Sequence, residues 1–153
     1  MRRIKVYAEI CAGCRQCEMV CSFKHTSKFS PSLARVTVIK DDGNGLDYPV
    51  ICHHCSQCPP METCPTEAIS KTTEGWTWIN WQSCIGCGVC VDVCKYEAIK
   101  LTDNIAIICD LCSGDPECVK RCPTNAIEYT EAPESTETPE IAFSRLREEW
   151  SLE

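Results

Sequence analysis

An export signal, a membrane span and an excess of positive charge are all missing from this sequence. Its opening, Met1-Arg2-Arg3-Ile4-Lys5-Val6-Tyr7-Ala8-Glu9-Ile10, carries basic residues, but the apolar core of a secretory leader is absent and a metal motif begins at Cys11. Arg2-Arg3 accordingly reads as a solvated strand end. No run approaches the roughly 18 apolar residues needed to span a membrane, so no membrane span is expected. Lys and Arg number 15 against 22 Asp and Glu, for a formal net charge of −7. No nucleic-acid partner is expected for such a balance. Nothing pairs a nucleophile with a base, and no open metal position stands out, so the chain reads as non-catalytic and no catalytic residue is assigned.

Cysteine, by contrast, fills 16 of 153 positions, a share shown by disulfide scaffolds and by metal proteins. Without an export signal the expected compartment is the reducing cytoplasm, where clustered cysteines bind metal rather than each other.

The cysteines fall into four groups of four. Group one is Cys11, Cys14, Cys17 and Cys21; group two is Cys52, Cys55, Cys58 and Cys64; group three is Cys84, Cys87, Cys90 and Cys94; group four is Cys109, Cys112, Cys118 and Cys122. Three groups end in a shared tail: Cys64-Pro65-Thr66-Glu67-Ala68-Ile69, Cys94-Lys95-Tyr96-Glu97-Ala98-Ile99 and Cys122-Pro123-Thr124-Asn125-Ala126-Ile127. The tail predicts a short helix begun near the last cysteine, with Pro in its first turn, then a strand started by Ala-Ile. Hairpins are predicted for Ala68–Thr72 with Trp76–Asn80 and for Ile99–Thr102 with Ile105–Ile108. Between groups one and two, Ser22 to Ile51 is an insertion with a predicted strand at Ala34–Ile39 and a turn at Asp41–Gly45.

A cubane cluster needs four thiolates converging on one small body. Cysteines at the first, fourth and seventh positions of a loop wrap three corners, and the last cysteine is carried to a neighbouring cluster, so groups should occur in pairs. Structural zinc usually takes two separated Cys-x2-Cys knuckles, which three consecutive cysteines at spacing three match poorly. Four [4Fe–4S] clusters are therefore the expected cofactors. Each adds about −2, bringing the loaded protein near roughly −15 and favouring a partner with a basic patch.

On these residues the chain resembles the four-cluster iron–sulfur subunit of molybdenum and tungsten oxidoreductases, over about residues 3–130. Three segments, Cys11-Ala12-Gly13-Cys14, Pro31-Ser32-Leu33-Ala34-Arg35-Val36 and Cys109 to Cys118, are most similar to the small polyferredoxin subunit of tungsten-containing aldehyde oxidoreductases. The resemblance implies an α+β fold of two interleaved bacterial-ferredoxin-like modules: 1–48 with 104–130, carrying groups one and four, and 49–103, carrying groups two and three. Beyond the span of the resemblance, the composition and spacing of residues 131–153 predict a linker and a docking helix.

It further implies four ligand sets. Site A takes Cys11, Cys14, Cys17 and Cys122; site B takes Cys109, Cys112, Cys118 and Cys21. Site C takes Cys84, Cys87, Cys90 and Cys64; site D takes Cys52, Cys55, Cys58 and Cys94. Group two departs from the family spacing, since Pro60 stands where its third cysteine is usual and Cys58 comes two residues earlier. Lys95 replaces the Pro that commonly follows the last cysteine of group three. Expected partners are a large tungsten or molybdenum pterin subunit, a flavin-containing or other electron-accepting subunit, and further copies of the chain stacked head to tail. The alternatives are the iron–sulfur subunit of a formate dehydrogenase, hydrogenase or DMSO-reductase-type enzyme, or a free ferredoxin shuttle.

His53 and His54 lie inside a ligand loop but read as surrounding residues rather than ligands, because enough cysteines are present. His25 reads as a loop or interface residue. Trp76, Trp78 and Trp81 read as packing over a cluster or a subunit face. Glu131 to Glu140, rich in Glu, Pro, Ser and Thr, reads as a linker. After it Thr138 can cap a helix with Pro139 in its first turn and Phe143, Leu146 and Trp150 along one face. That face can pack on its own chain or dock on another.

Overall fold

The computed structural model describes residues 1–152. Eight short strands pair in four two-stranded antiparallel sheets, with five helices between and after them. Three sheets are local hairpins: β2 (Thr37–Asp41) with β3 (Leu46–Val50), β4 (Ile69–Lys71) with β5 (Thr77–Ile79), and β6 (Ile99–Thr102) with β7 (Ile105–Ile108). The fourth joins the ends of the chain. β1 (Arg2–Val6) pairs with β8 (Ile127–Glu131) in the register Arg2↔Glu131 to Val6↔Ile127, and Tyr7 N–H continues the ladder to Ala126 O at 2.8 Å. This closure brings the first cysteine group beside the last.

The β6–β7 turn is two residues long, with Asp103 and Asn104 both at positive φ, +50° and +59°. That is the mirror-image turn whose twist matches the strands it connects, and Asn and Asp tolerate it best after Gly.

Helix α1 (Gln16–Thr26) holds two cysteines of group one, Cys17 and Cys21, one turn apart. It is held by Glu18, whose fully buried carboxylate accepts from Val38 N–H at 2.7 Å and Arg15 Nε at 2.8 Å. The helices inside the other three cysteine groups are single turns: α2 (Pro59–Glu62), α3 (Val89–Asp92) and α4 (Glu117–Lys120). They correct the sequence expectation, because each precedes the last cysteine of its group instead of starting at it. Pro65 and Pro123 follow that cysteine in turns, where Glu67, Glu97 and Asn125 take positive φ of +52°, +51° and +57°. The shared tail thus encodes a turn, followed by buried Ala68-Ile69, Ala98-Ile99 and Ala126-Ile127 that start the next strand.

β3 went unpredicted because Pro49 sits in it, yet all five of its residues are buried. Helix α5 (Pro139–Trp150) packs over it. Ala142, Phe143 and Leu146 join Leu46, Tyr48 and Val50 in one core, so the apolar face of α5 is covered by its own chain, while Trp150 stays 43% exposed. Thr138 Oγ1 accepts from Ile141 N–H at 3.4 Å, capping the helix as expected. Arg147 of α5 is ion-paired to Asp41 at the end of β2.

The segment read as a linker is strapped down. Arg3 Nη1 donates to Ala132 O at 3.0 Å, His53 Nδ1 to Ser135 O at 2.8 Å and Tyr96 Oη to the same carbonyl at 3.2 Å. Glu134 Oε2 accepts from both the backbone N–H (2.8 Å) and hydroxyl (2.9 Å) of Ser56. Composition correctly excluded apolar burial there; the segment is held by polar bonds instead. No helix of the described residues is long and apolar enough to cross a membrane.

Candidate iron–sulfur sites

The cysteines are built into the cores instead of lying beside them. Cys21, Cys109 and Cys118 pack with Val36, Ile51, Leu111 and Ile127, and Cys90 packs with Ile69, Ile99, Ala106 and Ile108. None of the sixteen is joined to another in a disulfide.

Four cavities open between these elements, each walled by four cysteines. Cys11, Cys14, Cys17 and Cys122 line one, and Cys21, Cys109, Cys112 and Cys118 line another. Cys64, Cys84, Cys87 and Cys90 line a third, and Cys52, Cys55, Cys58 and Cys94 line a fourth. In every case three cysteines come from one group and the fourth from another.

The donor set fits a cluster better than a lone ion. Four thiolates around one zinc at about 2.3 Å would bring their sulfurs within about 3.8 Å of one another. Among the described residues no three cysteine sulfurs lie mutually within 4.8 Å, so each wall is spread around a larger body.

Burial raises the proton affinity of most of these thiols. It pushes Cys17 and Cys109 up to about 12 and Cys55 up to about 11, and holds Cys52 and Cys118 far above the ordinary thiol value. Such groups become thiolates only opposite a cation. Cys64 and Cys122 behave differently. Burial works against ionisation there too, but the hydroxyl and N–H of the Thr two residues on, and the N–H groups of the following Ala-Ile, pull both below the ordinary value. The turn after the last cysteine is therefore a thiolate nest. Cys21 Sγ similarly accepts from Arg35 N–H at 3.3 Å, and Cys52 Sγ from His54 N–H at 3.3 Å.

The histidines divide by what their second nitrogen does. His54 is fully buried, and its Nδ1 accepts from Thr77 N–H at 2.9 Å. The neutral ring then carries its proton on Nε2, leaving no lone pair for a metal. Burial keeps it neutral, lowering its pKa to about 3. His53 stacks on Tyr96 with ring centroids 3.9 Å apart.

His25 was underestimated by sequence reasoning. Its Nδ1 donates to Cys21 O at 2.8 Å and its Nε2 lies 3.1 Å from Asp110, which also pairs with Arg35. The bond to Asp110 raises His25 to about 9. This charged trio ties α1 to the group-four loop, and its only sequence signal was the Asp between Cys109 and Leu111. Of the tryptophans, Trp76 packs on the core around Cys109, whereas Trp78 and Trp81 are 40% and 63% exposed.

Small strand pairs, single-turn helices and cysteine-walled cavities define an iron–sulfur protein of the ferredoxin kind. The family model for the 4Fe-4S binding domain matches residues 77–100. The polyferredoxin-like subunit of an aliphatic sulfonate oxidoreductase from Pyrococcus furiosus is 36% identical over 122 residues, 78% of this chain and 70% of that protein. A ferredoxin of Methanocaldococcus jannaschii is 33% identical over 135 residues, 88% of this chain and 75% of its own length. The fold is similar to a chain of the active site complex BamBC of benzoyl coenzyme A reductase in complex with benzoyl-CoA, with TM-score 0.53 and 27% identity, covering 97% of this chain and 89% of that one. The protein belongs to the polyferredoxin family, whose cofactors are multiple [4Fe–4S] clusters.

Proposed function

We propose that the chain is the electron-relay subunit of an oxidoreductase complex, holding four [4Fe–4S] clusters between a tungsten or molybdenum pterin enzyme, an aldehyde oxidoreductase by the resemblance of its motifs, and a further subunit or carrier. The observation that carries this is the wall composition of the four cavities, three cysteines from one group and one borrowed. Sites A to D take the ligand sets implied by the resemblance. Bound there, the clusters supply one-electron carriers.

The chain's own residues set their order. Cys17 and Cys21, one turn apart on α1, link site A to site B over about 6 Å of helix rise. Cys52 of site D packs in the same core as Cys109 of site B. Groups two and three exchange Cys64 and Cys94, linking site D to site C. The order is A, B, D, C. Exposed Cys14 and Cys87 then stand at its two ends. Modules 1–48 with 104–130 and 49–103 share the β6–β7 hairpin, whose turn holds their boundary, and the strap and α5 clasp the first to the second.

The relatives' roles, a subunit of a sulfonate oxidoreductase and a chain of a reductase's active site complex, support a bound relay over a free shuttle. Anaerobic purification from the native organism tests it. A large pterin subunit with tungsten or molybdenum should accompany the chain; a chain that purifies alone and colourless would contradict the proposal.

A further inference from the structure

Cys14 and Cys87 are the exposed cysteines of the sixteen, and their surroundings differ. Beside Cys14 stand Gly13, Arg15 and Gln16, with Arg121 and Asn125 exposed next to Cys122. Beside Cys87 stand Ile85, Val89 and Leu101, which are 63%, 37% and 42% exposed, and Ile85 and Leu101 line the same cavity as Cys87. Trp81, 63% exposed, lies on the turn leading into this loop. An apolar group of this kind on the rim of a functional site marks a contact surface.

Three carboxylates lie within two residues of its cavity wall. Glu67 follows Thr66 of the cavity wall, Asp92 lies on α3, and Asp103 lies in the β6–β7 turn. That turn presses on the cysteine loop, because a side chain at Gly86 would collide with the Asn104 carbonyl. All three acids are exposed, and none is ion-paired among the described residues.

We propose that the surface around Cys87 is the docking face for a redox protein that presents Lys and Arg around an apolar contact over its own electron-transfer centre. This rests on the reading of site C as a cluster site. The apolar centre excludes water and allows close approach, and the acidic rim steers a basic partner into register. A second copy meeting the same face would oppose like charges, which disfavours self-association there.

Cytochrome c, which rings an exposed haem edge with lysines, is the probe. The full-length holoprotein, reduced anaerobically, should reduce it in stopped-flow at a rate that falls as salt rises. The combined Glu67→Gln, Asp92→Asn and Asp103→Asn variant should be slower by about tenfold at low salt, with a flattened salt dependence. A control variant, Glu131→Gln, Glu148→Gln and Glu149→Gln, should stay within about twofold of wild type by the same screening argument. A rim variant as fast as wild type, or a control equally slowed, would overturn the docking face. So would a dimer in sedimentation that the rim variant dissolves, which would assign the face to a second copy. Iron content and spin quantitation separate the failures: intact clusters with unchanged rates sink the face alone, whereas a wild-type protein without clusters sinks the reading of site C beneath it.

Discussion

Thr66 and Thr124 occupy the same place, two residues after a borrowed cysteine, and each brings a hydroxyl to its sulfur, at 3.7 Å from Cys64 and 3.8 Å from Cys122. Tyr96 holds the equivalent position after Cys94 and turns away to bond Ser135 O. Hydrogen bonds to sulfur raise a cluster's potential by stabilising the more negative reduced form. Thr66→Val and Thr124→Val should each move one cluster to a more negative potential by about 20–60 mV, the equivalent of one hydrogen bond for a one-electron couple. Redox titration followed by EPR reads this, and unchanged midpoints would show that the hydroxyls do not reach the cluster. Gly86 makes a sterner test at this scale. Its φ of +67° and its contact with Asn104 leave no room for a Cβ, so Gly86→Ala should cost the protein about four irons, one cluster's worth, by metal analysis. A fully loaded variant would mean the loop can yield.

The elements show where sequence reasoning succeeds and where it stops. Cysteine spacing and the Ala-Ile repeats marked the four groups and two hairpins, because both are local patterns. The helices were displaced, since Pro after a cysteine suits a turn as well as a helix start, and only the positive φ of Glu67 and Asn125 separates the two. β3 was hidden by Pro49, tolerated opposite Val38 because the sheet has only two strands and Val38 N–H bonds Glu18 instead of β3. The strap from Ala132 to Thr138 was illegible for a different reason: its partners, Arg3, His53, Ser56 and Tyr96, are remote in sequence, and carbonyl acceptors leave no trace in composition. Helix α5 has a clear energetic role. Leu146, fully buried, should cost about 2–4 kcal/mol as Leu146→Ala in denaturant unfolding, whereas loss below about 1 kcal/mol would mean that α5 is held elsewhere. The Asp41–Arg147 pair adds a pH signature. The Arg147 bond holds the Asp41 carboxyl below its ordinary value, so its contribution is present above the ordinary carboxylate range and is lost as pH falls through the lowered value. Protection of α5 amides from hydrogen exchange should therefore weaken on acidification, and Arg147→Ala should abolish that dependence; a dependence that survives would point to another carboxyl.

For the molecule as a whole, the chain is closed at both ends, by β1 pairing with β8 and by α5 packing on β3. Rigid spacing is what a relay requires, and no part of the chain has to move. The central claim is that four compact iron bodies occupy the four cysteine-walled cavities. Iron-edge anomalous diffraction from anaerobically grown crystals tests it most directly. It should reveal four peaks of about four irons each, successive peaks on the order of 10–12 Å apart, each within bonding reach of three cysteines of one group and one of another. Single-metal peaks at the zinc edge, or cysteines joined to one another, would contradict the account.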